Sequence, residues 1–159
     1  MLVNPIGPPQ QTTLRDVEAA AAAIRLQVQV LEASTSREIE AAFATLVRDK
    51  ADALLVTPDP FFNSRRVQLA NLAVRHGVPT VGSRDIAEAG GLMSYGANLN
   101  DTYRQVGVYT GRILRGAKPA DLPVLQSTKF ELVINAETAR MLSLDVPPAL
   151  LAQADEVIE

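Results

Sequence analysis

Short aliphatic and β-branched runs alternate along this chain with longer stretches whose apolar residues recur every three or four positions. No other feature restricts the fold as tightly. Parallel strands cannot be joined by a hairpin; they need a crossover of a dozen residues or more, usually a helix. The runs are Leu2-Val3, Val28 with Val30-Leu31, Ala53-Leu54-Leu55-Val56, Pro79-Thr80-Val81, Leu92-Met93-Ser94-Tyr95 and Phe130-Glu131-Leu132-Val133-Ile134. Between them lie stripes at helical spacing: Leu14, Val17, Ala21 and Ile24; Ile39, Phe43, Leu46 and Val47; Val67, Ala70 and Val74; Tyr103, Val106, Thr110 and Ile113. This alternation predicts an α/β fold, a three-layer α/β/α sandwich with a doubly wound, mainly parallel sheet and right-handed crossovers.

Local signals place the boundaries. Pro5, Gly7, Pro8 and Pro9 end the first strand in a turn. Thr13-Leu14-Arg15-Asp16 and Thr35-Ser36-Arg37-Glu38 both read as capping boxes, with a carboxylate placed to answer free N–H groups of the first turn. Asn63 or Ser64 is expected to cap the third helix, which stops near His76-Gly77. Asn100 or Asp101 is expected to cap the fourth, which ends at Gly116. A short helix at 136–142 and a last one opened by Pro147-Pro148 complete the reading.

Composition narrows the function. A chain of 159 residues, 47% hydrophobic and 21% charged, fits a single domain over 1–159 with one core, burying about 70% of the unfolded chain's surface. With 4% aromatic residues and no Trp, that core is aliphatic. The net charge of −3 speaks against nucleic acid or an anionic membrane as a general partner. No Cys means no thiolate nucleophile and no zinc–thiolate site, and the one His, His76, sits where a helix C-terminus favours it electrostatically. No stretch reaches the ~20 apolar residues of a spanning helix. Met1-Leu2-Val3-Asn4-Pro5 lacks a basic n-region and a long apolar segment, so no signal peptide is expected in the chain.

Catalytic motifs are missing too. No Gly-x-Gly-x-x-Gly follows the first strand, no Gly-Lys-Ser/Thr follows the Gly111 and Gly116 pair, and no Gly-x-Ser-x-Gly elbow occurs. Neither cofactor, metal nor catalytic residues are therefore expected. In a doubly wound sheet ligands bind beyond the carboxyl ends of the strands, at the point where strand order reverses. That selects the loops 4–10, 33–36, 57–64, 82–85 and 95–100. The richest is Thr57-Pro58-Asp59-Pro60-Phe61-Phe62-Asn63-Ser64, where a carboxylate stands beside aromatic surface and hydrogen-bonding side chains. Such a set suits a small ligand carrying an ammonium group. The bland reading of the same residues is a turn (Asp59), a cap (Asn63) and core packing (Phe61, Phe62). Asn4, Ser83, Ser94 and Tyr95 are further candidates, each with a local alternative: an Asx turn for Asn4, a cap for Ser83, core for Tyr95.

The order of motifs resembles the C-terminal lobe of ABC-transporter substrate-binding proteins of the type I periplasmic-binding-protein fold, in the group with tryptophan- and tyrosine-uptake-like lipoproteins. The matching segments are Leu2-Val3-Asn4-Pro5, Asp52-Ala53-Leu54-Leu55-Val56 with Asp59, and Gly91-Leu92-Met93-Ser94-Tyr95-Gly96. Gly107-x-x-x-Gly111-Arg112-Ile113-Leu114-Arg115-Gly116, Lys118-Pro119-Ala120-Asp121-Leu122-Pro123 and Glu131-Leu132-Val133-Ile134-Asn135 follow in order. The resemblance implies a binding protein and not an enzyme, with an amino acid or other small organic solute held between two lobes and an ABC permease as partner in the full-length context. It ranks Asp59 first as a ligand contact, then Asn4, Ser83 and Ser94, with Tyr95, Phe61 and Asn63 nearby. The loop 57–62 departs from the family's Pro-Thr-Asp-Asn-like pattern while keeping the acid. The resemblance further implies a crossing to the other lobe at Ala97-Asn98, and a helix over 100–116 that packs on that lobe or, in its absence, on a second copy of the chain. It implies a periplasmic or membrane-anchored setting, against a cytoplasmic one for a fragment without a signal. The competing expectations are an effector-sensing domain of a regulator, for which no basic helix-turn-helix is visible, and a small α/β enzyme, for which Asp59 has no evident acid–base partner.

Overall fold

The computed structural model describes residues 1–7 and 11–159, so the predicted turn prolines Pro8 and Pro9 lie outside the described residues. Strand β1 (Leu2–Val3) pairs in parallel with β2 (Leu31–Glu32), and a parallel bridge from Leu2 to Val56 joins β1 to β3 (Leu54–Leu55). From β3 the sheet continues through β4 (Thr80–Gly82) and β5 (Met93–Ala97), both parallel. β6 (Phe130–Asn135) then runs antiparallel to β5, and β7 (Glu156–Ile158) parallel to β6. The spatial order is therefore β2-β1-β3-β4-β5-β6-β7. The chain moves one way from β1 to β2 and the other way from β2 onward, which puts the topological switch between β1 and β3.

Helices supply the crossovers: α1 (Gln11–Ala23), α2 (Ser36–Arg48), the short α3 (Pro60–Ser64), α4 (Arg66–His76) and α5 (Arg84–Glu88). α2, α4 and α5 pack side by side. Right-handed crossovers put α1, whose connection runs the other way, on the opposite face. The core lies between the sheet and α2 and α4: Leu2, Leu54 and Val56 meet Ile39, Phe43, Leu46, Phe62, Leu69 and Ile86. Burying each of these side chains is worth about 1.5–3 kcal/mol. The expected capping box at Thr35 forms in full, with Thr35 Oγ1 accepting from Glu38 N–H while the Glu38 carboxylate accepts from Thr35 N–H.

Several boundaries differ from the sequence reading. Thr13 lies inside α1, not at its start, and Ile24 falls beyond the helix, exposed, where Arg25 takes a positive φ. The β2 run shrinks to two residues, leaving Val30 partly exposed. Neither Asn63 nor Ser64 caps α4. Both belong to α3, and α4 starts with no side-chain cap. α4 ends as expected, with Gly77 in the left-handed region (φ 65°) that glycine adopts without a Cβ penalty.

After β5 come α6 (Leu99–Leu114), a 3-10 turn at Pro119–Asp121, and after β6 the short α7 (Ala136–Met141) and α8 (Pro148–Leu151). The cap of α6 is Asn98, two residues ahead of the expected Asn100: its Oδ1 accepts from Asp101 N–H at 2.8 Å. α6 has the expected apolar stripe but buries no residue; Leu99, Tyr103, Val106 and Ile113 are 40–69% exposed.

Candidate functional site

The candidate residues collect at the carboxyl ends of β1, β3 and β4, next to the switch. Asn4 follows β1 directly. Its Oδ1 accepts from Ile6 N–H at 3.1 Å, the expected Asx turn, and its Nδ2 donates to Asp59 Oδ1 at 3.1 Å. Asp59 stands four residues beyond the last residue of β3 because Val56 and Thr57 carry the extended chain on. Thr57 N–H and Oγ1 both donate to Leu2 O, each at 3.1 Å, locking the two strand exits together. Asp59 is thus 55 residues from Asn4 in sequence and in direct contact with it.

Asp59 is buried and also caps α3, its Oδ1 accepting from Phe61 N–H at 2.8 Å. Pro60 at the first helical position makes that start rigid, since its missing N–H is one no helix would use. Both hydrogen bonds fall on Oδ1, while Oδ2 lies against Gly7. A Cβ at Gly7 would press into that oxygen well inside van der Waals distance, so the turn after β1 needs glycine here. This requirement went unread in the sequence, where Gly7 counted only as a turn residue. Its contact partner, 52 positions away, carries no local signal.

A second pair extends the cluster. Ser83, which follows β4, donates through Oγ to Asn63 Oδ1 at 2.8 Å. Ser83 heads α5 without capping it by its side chain, so its hydroxyl serves the neighbouring loop. Of the two loop phenylalanines, Phe62 is fully buried in the core, which corrects its reading as available aromatic surface. Phe61 is half-buried beside it, the rings 5.5 Å apart. Asn4, Asp59, Phe61, Asn63 and Ser83 therefore come together from three adjacent strand exits.

Ser94 and Tyr95 do not join these hydrogen bonds. Ser94 is buried within β5, opposite Val133. Tyr95 points to the other face of the strand, as alternation requires. It is exposed and stacks on Phe130, ring centroids 5.9 Å apart, so it is not the core residue of its bland reading either. Among the described residues a cavity of about 190 Å³, lined by Leu92, Met93, Ile134, Leu144, Val146 and Leu150 among others, includes none of the candidates. The Asn4–Asp59 cluster lies apart from that cavity and forms the candidate wall at the strand exits. Among the described residues no group of three or more His, Cys, Asp or Glu is arranged to hold a metal ion, and no helix is long and apolar enough to cross a membrane.

A mostly parallel sheet with its switch beside a polar cluster at the strand exits defines the class: one α/β lobe of the periplasmic-binding-protein kind. The chain belongs to the family described as ABC transporter substrate binding protein, whose sequence profile matches residues 1–158. No curated protein matches the sequence. Among solved structures, the chain is similar to the ABC domain from Streptococcus pneumonia in complex with L-Trp, with 26% identity and a TM-score of 0.89, covering 99% of this chain and 53% of that one. It shares its fold with a conserved domain protein from Vibrio cholerae O1 biovar El Tor (24% identity, TM-score 0.87, 98% and 53% covered). The same holds for the ligand-free, open structure of a substrate binding protein with adhesive properties from Clostridium difficile (21%, TM-score 0.72, 99% and 52%). The chain thus spans about half the length of each.

Proposed function

We propose that the chain is the C-terminal lobe of a solute-binding protein of an ABC importer, acting outside the cytoplasm and handing a small organic solute of amino-acid type to a membrane permease. The observation that carries this reading is the Asn4–Asp59 contact at the β1/β3 switch, extended by Asn63–Ser83, in a chain of the substrate-binding family. Phe61 offers a half-buried aromatic face and Ser83 and Asn63 hydrogen bonds, while the buried carboxylate of Asp59 sets a negative charge behind them for a ligand's ammonium group. The neighbour in complex with L-Trp supports an aromatic amino acid as the first solute to try. No covalent chemistry is needed. Affinity comes from a second lobe closing over this wall, a shift between open and closed populations.

The same second lobe is the occupant we assign to the bare stripe of α6. That helix starts at Asn98, directly after β5, where the chain would cross between lobes. The half-length coverage of all three neighbours supports a missing partner of similar size.

Isothermal titration with L-Trp tests the proposal on two proteins: this chain alone, and a two-lobe protein that contains it. The lone chain is expected to bind at least 100-fold more weakly, because half the contacts and the exclusion of water are absent. Equal, tight binding by the lone chain would overturn the two-lobe account. In the two-lobe protein, Asp59→Asn keeps an acceptor for Phe61 N–H but loses the charge, and is expected to weaken L-Trp binding about tenfold or more. An unchanged affinity would remove Asp59 from the site.

A further inference from the structure

One charged cluster lies outside the candidate wall, between its Ser83 end and the start of α6. Arg84, the residue after Ser83, faces three carboxylates: its Nε donates to Glu88 at 2.7 Å, one terminal nitrogen bonds Glu156, and the other lies 3.5 Å from Glu131 Oε1. Glu156 first and Glu88 second hold the guanidinium well above its ordinary pKa, so it is a permanent cation. Glu131 is the least exposed of the three acids. It sits on β6 opposite Gly96, and its second oxygen accepts from Asn98 Nδ2 at 2.7 Å.

Asn98 is no ordinary neighbour. Its Oδ1 caps α6 through Asp101 N–H, its carbonyl accepts from Thr102 N–H and Oγ1, and its own N–H donates to Lys129 O at 2.9 Å. Glu131 therefore holds one oxygen on the loop that carries Ser83 and the other on the residue that starts α6. The carboxylate bridges the two unequally: a 2.7 Å hydrogen bond fixes one oxygen on Asn98, and a 3.5 Å ion-pair contact draws the other toward the Arg84 cation, so a displacement of either partner shifts the carboxylate between them.

We propose that Glu131 is a positioning residue: it makes the seating of the Ser83 loop and of the α6 start interdependent, so that a solute drawn against Ser83 is felt where the chain leaves the sheet. The solute part of this statement rests on the function proposed above. The coupling itself does not.

The test is a double-mutant cycle read by amide hydrogen exchange and by the Asn98 side-chain resonances, on the chain as it stands. Arg84→Met does not touch Asn98, yet it is expected to shift the Asn98 side-chain amide and to speed exchange at Asp101 and Thr102 N–H about fivefold, the equivalent of one weakened N-cap. Glu131→Ala is expected to do the same, and adding Arg84→Met to it should change nothing further at these positions. Should Glu131→Ala fold poorly, Glu131→Gln serves: it keeps a partner for Asn98, loses the pull on Arg84, and should likewise abolish the effect of Arg84→Met. Exchange at Asp101 that ignores Arg84→Met, or responds equally with and without Glu131, would overturn the proposal. A merely structural Glu131 lowers stability but leaves the two Arg84→Met effects equal. L-Trp titration of the two-lobe protein is a separate arm. Absent binding by its unmutated form refutes the solute reading and leaves the coupling to be decided by the exchange data, whereas intact coupling with binding predicts a several-fold weaker affinity in Glu131→Ala.

Discussion

Two helices of this chain have nearly the same amphipathic pattern and opposite fates. α2 places Ile39, Ala42, Phe43 and Leu46 on one face, and all four are buried against the sheet and α4. α6 places Leu99, Tyr103, Val106 and Ile113 along one face at helical spacing, and none is buried. Both are capped by a side chain accepting from an N–H three residues on. Periodicity thus identifies a helix with an apolar face but says nothing about what covers the face, because the covering surface can belong to another part of the structure. The difference also divides the chain by task. α2 builds the platform on which the loops after β1, β3 and β4 converge, whereas α6 buries none of its residues within this lobe.

The largest expected effect tests that division directly. Phe43→Ala removes a fully buried ring and should cost about 3–5 kcal/mol in urea unfolding, a large share of a typical domain's total. Val106→Ala on α6 should change the stability of the chain by less than ~0.5 kcal/mol. In a two-lobe protein the same α6 change is expected to cost ~1 kcal/mol or more, since a methyl-bearing side chain would leave a buried contact. Equal costs for Val106→Ala in both settings would break the comparison.

The sequence was legible wherever local chemistry decides. The order of β1 to β6 and of the longer helices, the Thr35–Glu38 capping box and the buried stripe of α2 follow from spacing and propensity alone. It misled where a residue had two local uses. Asn63 and Ser64 look like caps, yet Pro60 starts a five-residue helix too short to show periodicity, and Asn63 is spent on Ser83, 20 positions away. Thr13 fits a capping box but lies inside a helix that begins at Gln11. β7 has three residues, below the length at which alternation can be read. For the candidate wall, the strand-exit rule found the loops, and Asp59 and Asn4 prove to be partners. Tyr95 shows the limit. Its neighbour Ser94 ends the same strand run in sequence, but strand alternation sends the two to opposite faces.

A middle-sized effect is expected at the wall itself. Asp59→Ala removes both the α3 cap and the bond from Asn4, and should destabilise the chain by about 1–2 kcal/mol. Gly7→Ala adds a methyl against Asp59 Oδ2 and should cost a similar ~1–3 kcal/mol through overpacking. Because both act on one carboxylate, their effects should not add: Gly7→Ala in the Asp59→Ala background is expected to be nearly neutral. Additive costs, measured by chemical denaturation of the four proteins, would mean that Gly7 and Asp59 are not in contact. This pair sharpens the contrast with α6, where an added Cβ at Gly107 or Gly111 meets open space and substitution should be silent or mildly stabilising.

The smallest effect concerns acid, and it separates the two helices by what stands behind their caps. Hydrogen bonds from Ser34 and Thr35 hold the Glu38 carboxyl below its ordinary pKa at the start of α2. Lys129 first, then Arg104, does the same for Asp101 at the start of α6. A carboxylate whose folded pKa is depressed contributes stability above its unfolded pKa, and loses that contribution as pH falls through the folded value. The Glu38 half of the α2 capping box and the Lys129–Asp101 ion pair at the start of α6 should therefore weaken below the usual carboxylate range, and the carboxyl resonances of Glu38 and Asp101 should titrate at lower pH than those of an unstructured peptide. The consequences should diverge. Loss of Glu38 leaves α2 pinned by Phe43 and Leu46, so its amides stay protected. Loss of the Asp101 charge acts on a helix with no buried side chain, so the protection factors of Thr102 and Tyr103 N–H, corrected for the intrinsic rate at each pH, should fall as the sample is acidified while those of α2 hold. Glu38 is exposed and Asp101 partly so, and added salt should mute the Asp101 shift, which rests on an ion pair, more than that of Glu38, which rests on hydrogen bonds to backbone and hydroxyl. Equal acid sensitivity in the two helices would mean that α6 is held by contacts of its own, and the assignment of its apolar stripe to a second lobe would fall.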